Sequence, residues 1–156
     1  MSEAACSVVM GEVQMTALAA RLAPALKPPF CLHLHGDLGA GKTTFVRALI
    51  QGMGYAGRVK SPTYGLLEHY PLADVQVLHL DLYRIGDPEE LEFLGITDLF
   101  DEKTVLLAEW PERGGALLPA ADAVLEFNHS GTERRVTILP YSSSGNALCH
   151  SFQRLL

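Results

Sequence analysis

A short glycine-rich segment has the residue types and the spacing that bind phosphate. Gly36 to Thr43 reads GDLGAGKT and matches the pattern G-x-x-x-x-G-K-[ST] without a gap. Its glycines allow backbone N–H groups to turn toward phosphate oxygens, and a following helix directs its positive end to the same place. Lys42 supplies positive charge for the outer phosphates, and the Thr43 hydroxyl is placed to ligate Mg²⁺. The residues predicted to bind a nucleoside triphosphate here are Asp37, Leu38, Gly39, Ala40, Gly41, Lys42, Thr43 and Thr44.

Two carboxylates follow apolar runs, as a nucleotide-hydrolysing site requires. Asp81 ends the run 77–80, and Glu109 ends the run 105–108. Hydrolysis needs metal ligands and a group that orients the attacking water, and both acids have the position for such work. The alternative for either acid alone is an exposed carboxylate at a strand end. Two of them in a chain with a phosphate loop favour the functional interpretation.

Two further residues are of interest because of their neighbours. Thr63 lies about 20 residues after Thr43, next to Pro62, which stiffens the loop. This is the place of a nucleotide-sensing switch in many NTPases, although a plain proline turn explains the residues equally well. Trp110 directly follows Glu109. It either packs in the core or lies against the nucleotide.

The hydrophobic pattern predicts the elements that would position these residues. Helices are predicted over about 12–23, from the phosphate loop to about 52, from 87 to 95 and over 145–155. Strands are predicted over 30–35, 64–70, 75–82, 105–110, 122–128 and 134–140. The short breaks within the pairs 64–70/75–82 and 122–128/134–140 favour antiparallel hairpins. The order implies an α/β sandwich with parallel strands at the centre and antiparallel strands at the edges.

Length, charge and cysteine usage limit the classes of protein. The 156 residues predict one domain, spanning 1–156, and no apolar run approaches the ~20 residues that span a membrane. The first ten residues have no basic region, so we expect no secretory signal. Three cysteines without a C-x-x-C pair favour reduced thiols and a cytoplasmic location. The net charge of −6, without a Lys/Arg cluster, argues against direct binding of DNA or RNA.

Several patterns indicate which ligands to expect. The absence of an N-K-x-D segment favours ATP over GTP, and the absence of an arginine-rich lid favours water over a small-molecule acceptor. His33, His35 and His79 suggest a zinc site at first sight. No cysteine or carboxylate completes a tetrahedral set with them, so packed or hydrogen-bonded histidines are favoured.

Together, the motifs resemble those of the TsaE (YjeE) family, the bacterial ATPases of tRNA threonylcarbamoyladenosine synthesis. The matching segments are GDLGAGKTT at 36–44, KSPTY at 60–64, DLYR at 81–84, PEELE at 88–92 and EWP at 109–111. The first segment is common to many NTPases, whereas S-P-T-Y, D-L-Y-R and E-W at these spacings are far more specific. The resemblance spans about residues 36–119, and the overall length also fits.

The resemblance implies a P-loop NTPase-like three-layer sandwich and slow, partner-dependent hydrolysis of ATP. The implied partners are TsaB and TsaD, whose heterodimer transfers a threonylcarbamoyl group to the adenosine next to the anticodon of ANN-decoding tRNAs. ATP would reset that heterodimer between cycles, and the tRNA would be held by the partners. A small-molecule kinase and a non-catalytic ATP-binding scaffold are the alternatives.

By position, the resemblance also implies roles for individual residues. Thr43 and Glu109 would ligate Mg²⁺, Asp81 would support hydrolysis through the metal or its water, and Thr63 would belong to the switch loop. Lys42 and the loop amides would bind the phosphates.

Three more residues are assigned on position alone. Trp110 is expected close to the nucleotide, and Arg135 is a candidate contact for the adenine. Arg84 is the candidate for stabilising negative charge in the transition state.

Overall fold

One mixed β-sheet forms the centre of the molecule. The computed structural model describes residues 5–60 and 66–156. Within them, seven strands are hydrogen-bonded in the order β1-β7-β6-β2-β5-β4-β3. The strands are β1 Cys6–Met10, β2 Phe30–Gly36, β3 Leu67–Pro71, β4 Gln76–Asp81, β5 Thr104–Glu109, β6 Ala123–Ser130 and β7 Glu133–Pro140.

The helices are distributed unevenly along the chain. They are α1 Glu12–Leu22, α2 Lys42–Gly52, α3 Glu90–Leu94, α4 Ile96–Leu99 and α5 Ser143–Arg154. Short 3₁₀ segments occupy Ala23–Ala25, Pro111–Arg113 and Gly115–Leu117. None of the helices in the described ranges is long and apolar enough to cross a membrane.

The four strands at the centre of the sheet, β6, β2, β5 and β4, are parallel. Antiparallel pairing adds β3 beside β4 at one edge, and β7 and then β1 beside β6 at the other. All six residues of β5 are buried, as expected for a strand covered on both faces. The predicted α/β sandwich, with parallel centre and antiparallel edges, is confirmed.

Two apolar clusters lie on opposite faces of the sheet. One joins Leu34 and Leu107 to residues of α1, α2 and α5, and includes Leu18, Leu49 and Phe152. The other joins strand residues such as Leu80 and Leu106 to Leu91 of α3 and Ile96 of α4. Because side chains alternate along a strand, the central strands β2, β4 and β5 contribute to both clusters. Helices on both faces give the three layers that the resemblance implied.

Some boundaries differ from those expected. The edge strand β1 was not predicted, because its half-exposed residues follow no strong apolar alternation and its pairing with β7 comes from tertiary structure. The helix expected from 87 begins at Glu90, although Asp87 does accept a hydrogen bond from the N–H of Glu89 at 2.9 Å. Gly95, in the left-handed region at φ 69°, ends this helix as predicted, and α4 follows it directly. Of the strand expected at 64–70, the first residues lie outside the described ranges.

Candidate nucleotide-binding site

The phosphate loop connects β2 to α2. Gly39 and Gly41 have φ values of 77° and 103°, which side chains other than glycine rarely tolerate. A Cβ at Gly41 would also lie 2.7 Å from Cε of Met15 in α1. Gly41 precedes the first residue of α2 and caps it with no side chain, so the N–H groups of the first turn are not satisfied by a cap. The start of α2 is therefore suited to bind an anion.

Lys42 places its charge inside this loop. The residue is only 4% exposed, and its ammonium group donates a hydrogen bond to the carbonyl of Gly36. The same nitrogen lies 3.7 Å from the ring centroid of Trp110. Burial lowers the pKa of Lys42, while the nearby carboxylates Glu109 and Asp81 raise it in part. Phosphate oxygens are stronger acceptors than a carbonyl and would compensate this burial better.

The two predicted acids lie side by side on adjacent parallel strands, with Asp81 opposite Glu109 in register. The Thr43 hydroxyl donates to Glu109, at 3.1 Å to Oε1 and 3.3 Å to Oε2. Burial raises the pKa of Asp81, and the neighbouring Glu109 raises it further, whereas a 3.1 Å hydrogen bond from the Tyr83 N–H lowers it. A carboxylate of this kind is available to interact with a cation or with a water molecule.

These oxygens fit Mg²⁺ that arrives with a nucleotide. Mg²⁺ prefers hard oxygen ligands and usually takes one or two carboxylates together with phosphates and waters. Thr43, Glu109 and Asp81 supply such oxygens beside the phosphate loop. In the described part of the chain, no group of three or more His, Cys, Asp or Glu residues could hold a metal. A cation beside these oxygens would complete its coordination with phosphate oxygens and waters.

Glu109 has a second partner, on its buried side. The Nε2 of His79 lies 2.6 Å from Oε2 of Glu109, and the two side chains are 1% and 2% exposed. His79 shares its face of β4 with Val77, which belongs to the cluster of α1, α2 and α5, whereas His33 shares its face of β2 with Cys31, in the other cluster. His33 and His79 thus lie on opposite faces of the sheet, which argues against a shared zinc site.

An aromatic group closes one side of the site. Trp110 has φ 56°, in the left-handed region, where no other non-glycine residue of the described ranges lies. Its ring centroid is 5.0 Å from that of Tyr83. The guanidinium of Arg113 lies over both rings, at 5.0 Å from Tyr83 and 5.3 Å from Trp110, and donates to the Tyr83 carbonyl. Such unfavourable backbone conformations concentrate at functional sites.

Arg134 of β7 holds the outer side of the phosphate loop. Its Nε donates to the carbonyl of Ala40 at 3.1 Å, and its Nη2 donates to the carbonyl of Gly39 at 3.0 Å. The C=O of Ala40 and the N–H of Gly41 belong to one planar trans peptide and point in opposite directions. Holding this carbonyl toward Arg134 therefore directs the Gly41 N–H away from Arg134.

These groups surround a cavity of about 340 Å³. Its lining comprises Glu12, Met15, Leu38, Gly39, Gly41, Lys42, Thr43, Thr44, Asp81, Tyr83, Glu109, Trp110, Thr132 and Arg134. Cations, carboxylates and an aromatic face thus meet at the carboxyl ends of β4 and β5, where α/β folds commonly bind ligands.

Comparison with known proteins identifies the family. The family model described as "Threonylcarbamoyl adenosine biosynthesis protein TsaE" matches residues 9–137. The chain belongs to the TsaE family. It is 44% identical to the tRNA threonylcarbamoyladenosine biosynthesis protein TsaE of Haemophilus influenzae over 78% of this chain and 77% of that protein. The Bacillus subtilis protein of the same name is 34% identical over 88% of this chain and 87% of its own length.

A solved structure agrees with this assignment. The crystal structure of Bacillus subtilis YdiB superimposes with a TM-score of 0.76 and 26% sequence identity, covering 99% of this chain and 97% of that one. The fold of this TsaE-family chain is therefore that of a known structure over nearly its entire length.

Most of the predicted site residues of this TsaE-family chain meet at the cavity. The lining includes Leu38, Gly39, Gly41, Lys42, Thr43, Thr44, Asp81, Glu109 and Trp110. Asp37 and Ala40 belong to the loop but do not line the cavity, and Ala40 is buried. Arg84 is exposed and is not part of the lining. Thr63 lies outside the described residues.

Arg135, the predicted contact for the adenine, does not line the cavity. Arg135 is exposed, whereas its neighbour Arg134 lines the cavity. Alternation explains this difference, because Arg134 shares its strand face with Val136 and Ile138, which are buried against α1, α2 and α5. That apolar alternation in the sequence was a signal that could have selected Arg134.

Proposed function

We propose that this chain binds Mg²⁺–ATP and hydrolyses ATP slowly, as the nucleotide-dependent subunit that acts on TsaB–TsaD during threonylcarbamoyladenosine formation in tRNA. The observation that carries the proposal is the contact between Thr43 and Glu109 beside the buried Lys42 at the start of α2. The Thr43 hydroxyl oxygen lies 3.1 Å from Oε1 of Glu109. Binding of phosphate alone would need the loop and Lys42, but not a buried carboxylate on the Thr43 hydroxyl. Membership of the TsaE family supports the pathway.

The site can divide the work among its residues. The loop amides and Lys42 bind the phosphates, while Thr43 and Glu109 hold the cation. When bound, the cation neutralises charge on the phosphate oxygens. Asp81, next to Glu109 in the sheet, accepts a hydrogen bond from the attacking water and orients it toward the outer phosphate.

Charge and exposure suggest how partners take part. A net charge of −6 is unfavourable for holding tRNA, so the TsaB–TsaD heterodimer would carry it. The exposed Arg84 is outside the cavity and could reach the nucleotide only after a rearrangement. We therefore expect the isolated chain to hydrolyse ATP slowly. We place this chain and its partners in the cytoplasm.

A reconstituted reaction tests the proposal. The reaction combines this chain with the TsaB–TsaD heterodimer, tRNA, ATP and a separate enzyme that makes threonylcarbamoyl-adenylate. The amount of threonine incorporated into tRNA per heterodimer is measured. We expect repeated rounds of modification with the parent chain and about one round or fewer with Lys42→Ala. Repeated rounds without the chain would contradict the proposal.

The same reaction separates the alternative functions. Full activity of Asp81→Ala over several rounds would favour a scaffold that needs ATP bound but not hydrolysed. Transfer of labelled γ-phosphate to a metabolite rather than to water would favour a kinase.

A further inference from the structure

His79 lies behind the carboxylate that we assign to the cation, and the proposed function does not use it. Its Nε2 is 2.6 Å from Oε2 of Glu109. A carboxylate that ligates a cation is ionised and can only accept hydrogen bonds. The proton between the two side chains therefore resides on Nε2, and the imidazole is a donor aimed at Glu109.

Glu109 is held from two directions. Thr43 contacts it from α2, and His79 contacts it from the adjacent strand β4, two residues before Asp81. Thr43 and Glu109 are both assigned to the cation, so the bond between them must adjust when the cation binds. The bond from His79 involves no other ligand and can persist in the loaded state.

The other imidazole nitrogen argues against a role in packing alone. Nδ1 of His79 is buried and has no hydrogen-bond partner among the described residues. A buried polar atom without a hydrogen-bond partner destabilises the folded state. Val77, on the same face of β4, and Leu107, the register partner of His79 on β5, are both apolar. An apolar side chain would fill this position at lower cost, so the feature that distinguishes His79 is its bond to Glu109.

We propose that His79 is a positioning residue whose Nε2–H orients Glu109 as a ligand of the divalent cation that accompanies the nucleotide. This inference rests on the proposed function, because it requires Glu109 to ligate that cation. Loss of a hydrogen-bond partner behind a metal ligand typically weakens metal binding or activity by about 10- to 100-fold.

Two substitutions and a matched control test the role of His79. His79→Leu removes the donor and keeps an apolar volume, whereas His79→Gln places an amide N–H near the position of Nε2. His69→Leu is the control, since His69 is an exposed histidine of the neighbouring strand β3. Free Mn²⁺ is measured by electron paramagnetic resonance in the presence of a non-hydrolysable ATP analogue. Analogue binding in a chelator and thermal unfolding show whether each variant is folded.

We expect Mn²⁺ binding to weaken about 10- to 100-fold in His79→Leu and to recover in part in His79→Gln. His69→Leu should match the parent, and analogue binding without a cation should change little in any variant. Unchanged Mn²⁺ affinity in His79→Leu, or equal weakening in His79→Leu and His79→Gln, would overturn the positioning role. If His79→Leu does not fold, His79→Ala takes its place: Mn²⁺ affinity in folded His79→Ala equal to that of the parent overturns the positioning role, and affinity weaker than in His79→Gln supports it.

The failure of the proposed function would look different. A parent chain that binds no Mn²⁺ with the analogue would refute the assignment of Glu109 to the cation, before any variant is compared.

Discussion

Lys42 and Asp81 face the same cavity but are expected to act at different stages. In the proposed function the Lys42 ammonium contacts bound phosphate in the ground state, so Lys42→Ala should lose a charge-assisted interaction. We expect nucleotide affinity to fall about 10- to 100-fold, the equivalent of 1.5–3 kcal/mol. Asp81→Ala should leave affinity within a few-fold and reduce turnover in the complete complex by ~10²-fold or more.

Calorimetry of nucleotide binding and steady-state turnover distinguish the two variants. Turnover of Asp81→Ala equal to that of the parent in the full complex would show that the role given to Asp81 is wrong.

Asp81 should also destabilise the folded chain at neutral pH when no cation is bound. Burial raises the pKa of Asp81 above its ordinary value, so the folded state binds the proton more tightly than the unfolded state does. The stability that this gives is present at low pH and is lost as the pH rises through the raised pKa. At pH 7 the ionised carboxylate is therefore unfavourable, and Asp81→Asn should raise Tm.

This effect is measured as the Tm of the parent and of Asp81→Asn in a chelator. The measurement is repeated from pH 7 down to about pH 4, near the unperturbed carboxyl pKa of about 3.9. The difference in Tm between Asp81→Asn and the parent should decrease as the pH falls. A difference in Tm that does not change with pH, or a parent with a higher Tm than Asp81→Asn at pH 7, would show that the burial of Asp81 is compensated.

At the scale of elements, β7 supports the phosphate loop through Arg134. Arg134→Ala removes two hydrogen bonds from a charged donor to the carbonyls of Gly39 and Ala40. We expect about 1–2 kcal/mol weaker ATP binding, or ~5- to 30-fold. The natural control is Arg135→Ala, which removes the same charge from the next residue on the exposed face. Equal losses in the two variants would attribute the effect to charge rather than to support of the loop.

The sequence allowed most elements to be predicted, because their signals are local. The periodicity of Met15, Leu18 and Leu22 predicted α1, and the short breaks between strands predicted the hairpin β6–β7. The pairing of β1 with β7 is determined by contacts between residues about 130 positions apart, and no local pattern records it.

The same distinction applies to the site. Motif spacing predicted Lys42, Thr43, Asp81 and Glu109, and the structure places all of them at one cavity. The bond from His79 to Glu109 depends on the register of β4 against β5, which alternation alone cannot supply. For the same reason the sequence did not identify Arg113, which stacks on Tyr83 and Trp110 only after its 3₁₀ segment folds beside them.

For the whole molecule, Arg84 is exposed and lies outside the cavity lining, so the proposed function assigns its access to the nucleotide to the assembly with TsaB–TsaD. A cation that stabilises the transition state of phosphoryl transfer is worth ~10³-fold or more in rate. If binding of TsaB–TsaD brings Arg84 to the nucleotide, Arg84→Ala should remove most of the stimulated rate and little of the basal rate. Unchanged turnover of this variant in the complex would assign the role to a partner or to no arginine.

Steady-state ATP hydrolysis by the purified chain, alone and with TsaB–TsaD, with and without tRNA, tests partner-dependent hydrolysis most directly. We predict a low rate for the isolated chain, a clear rise on addition of the heterodimer, and loss of that rise in Lys42→Ala. A rate that the heterodimer leaves unchanged would contradict the proposed function.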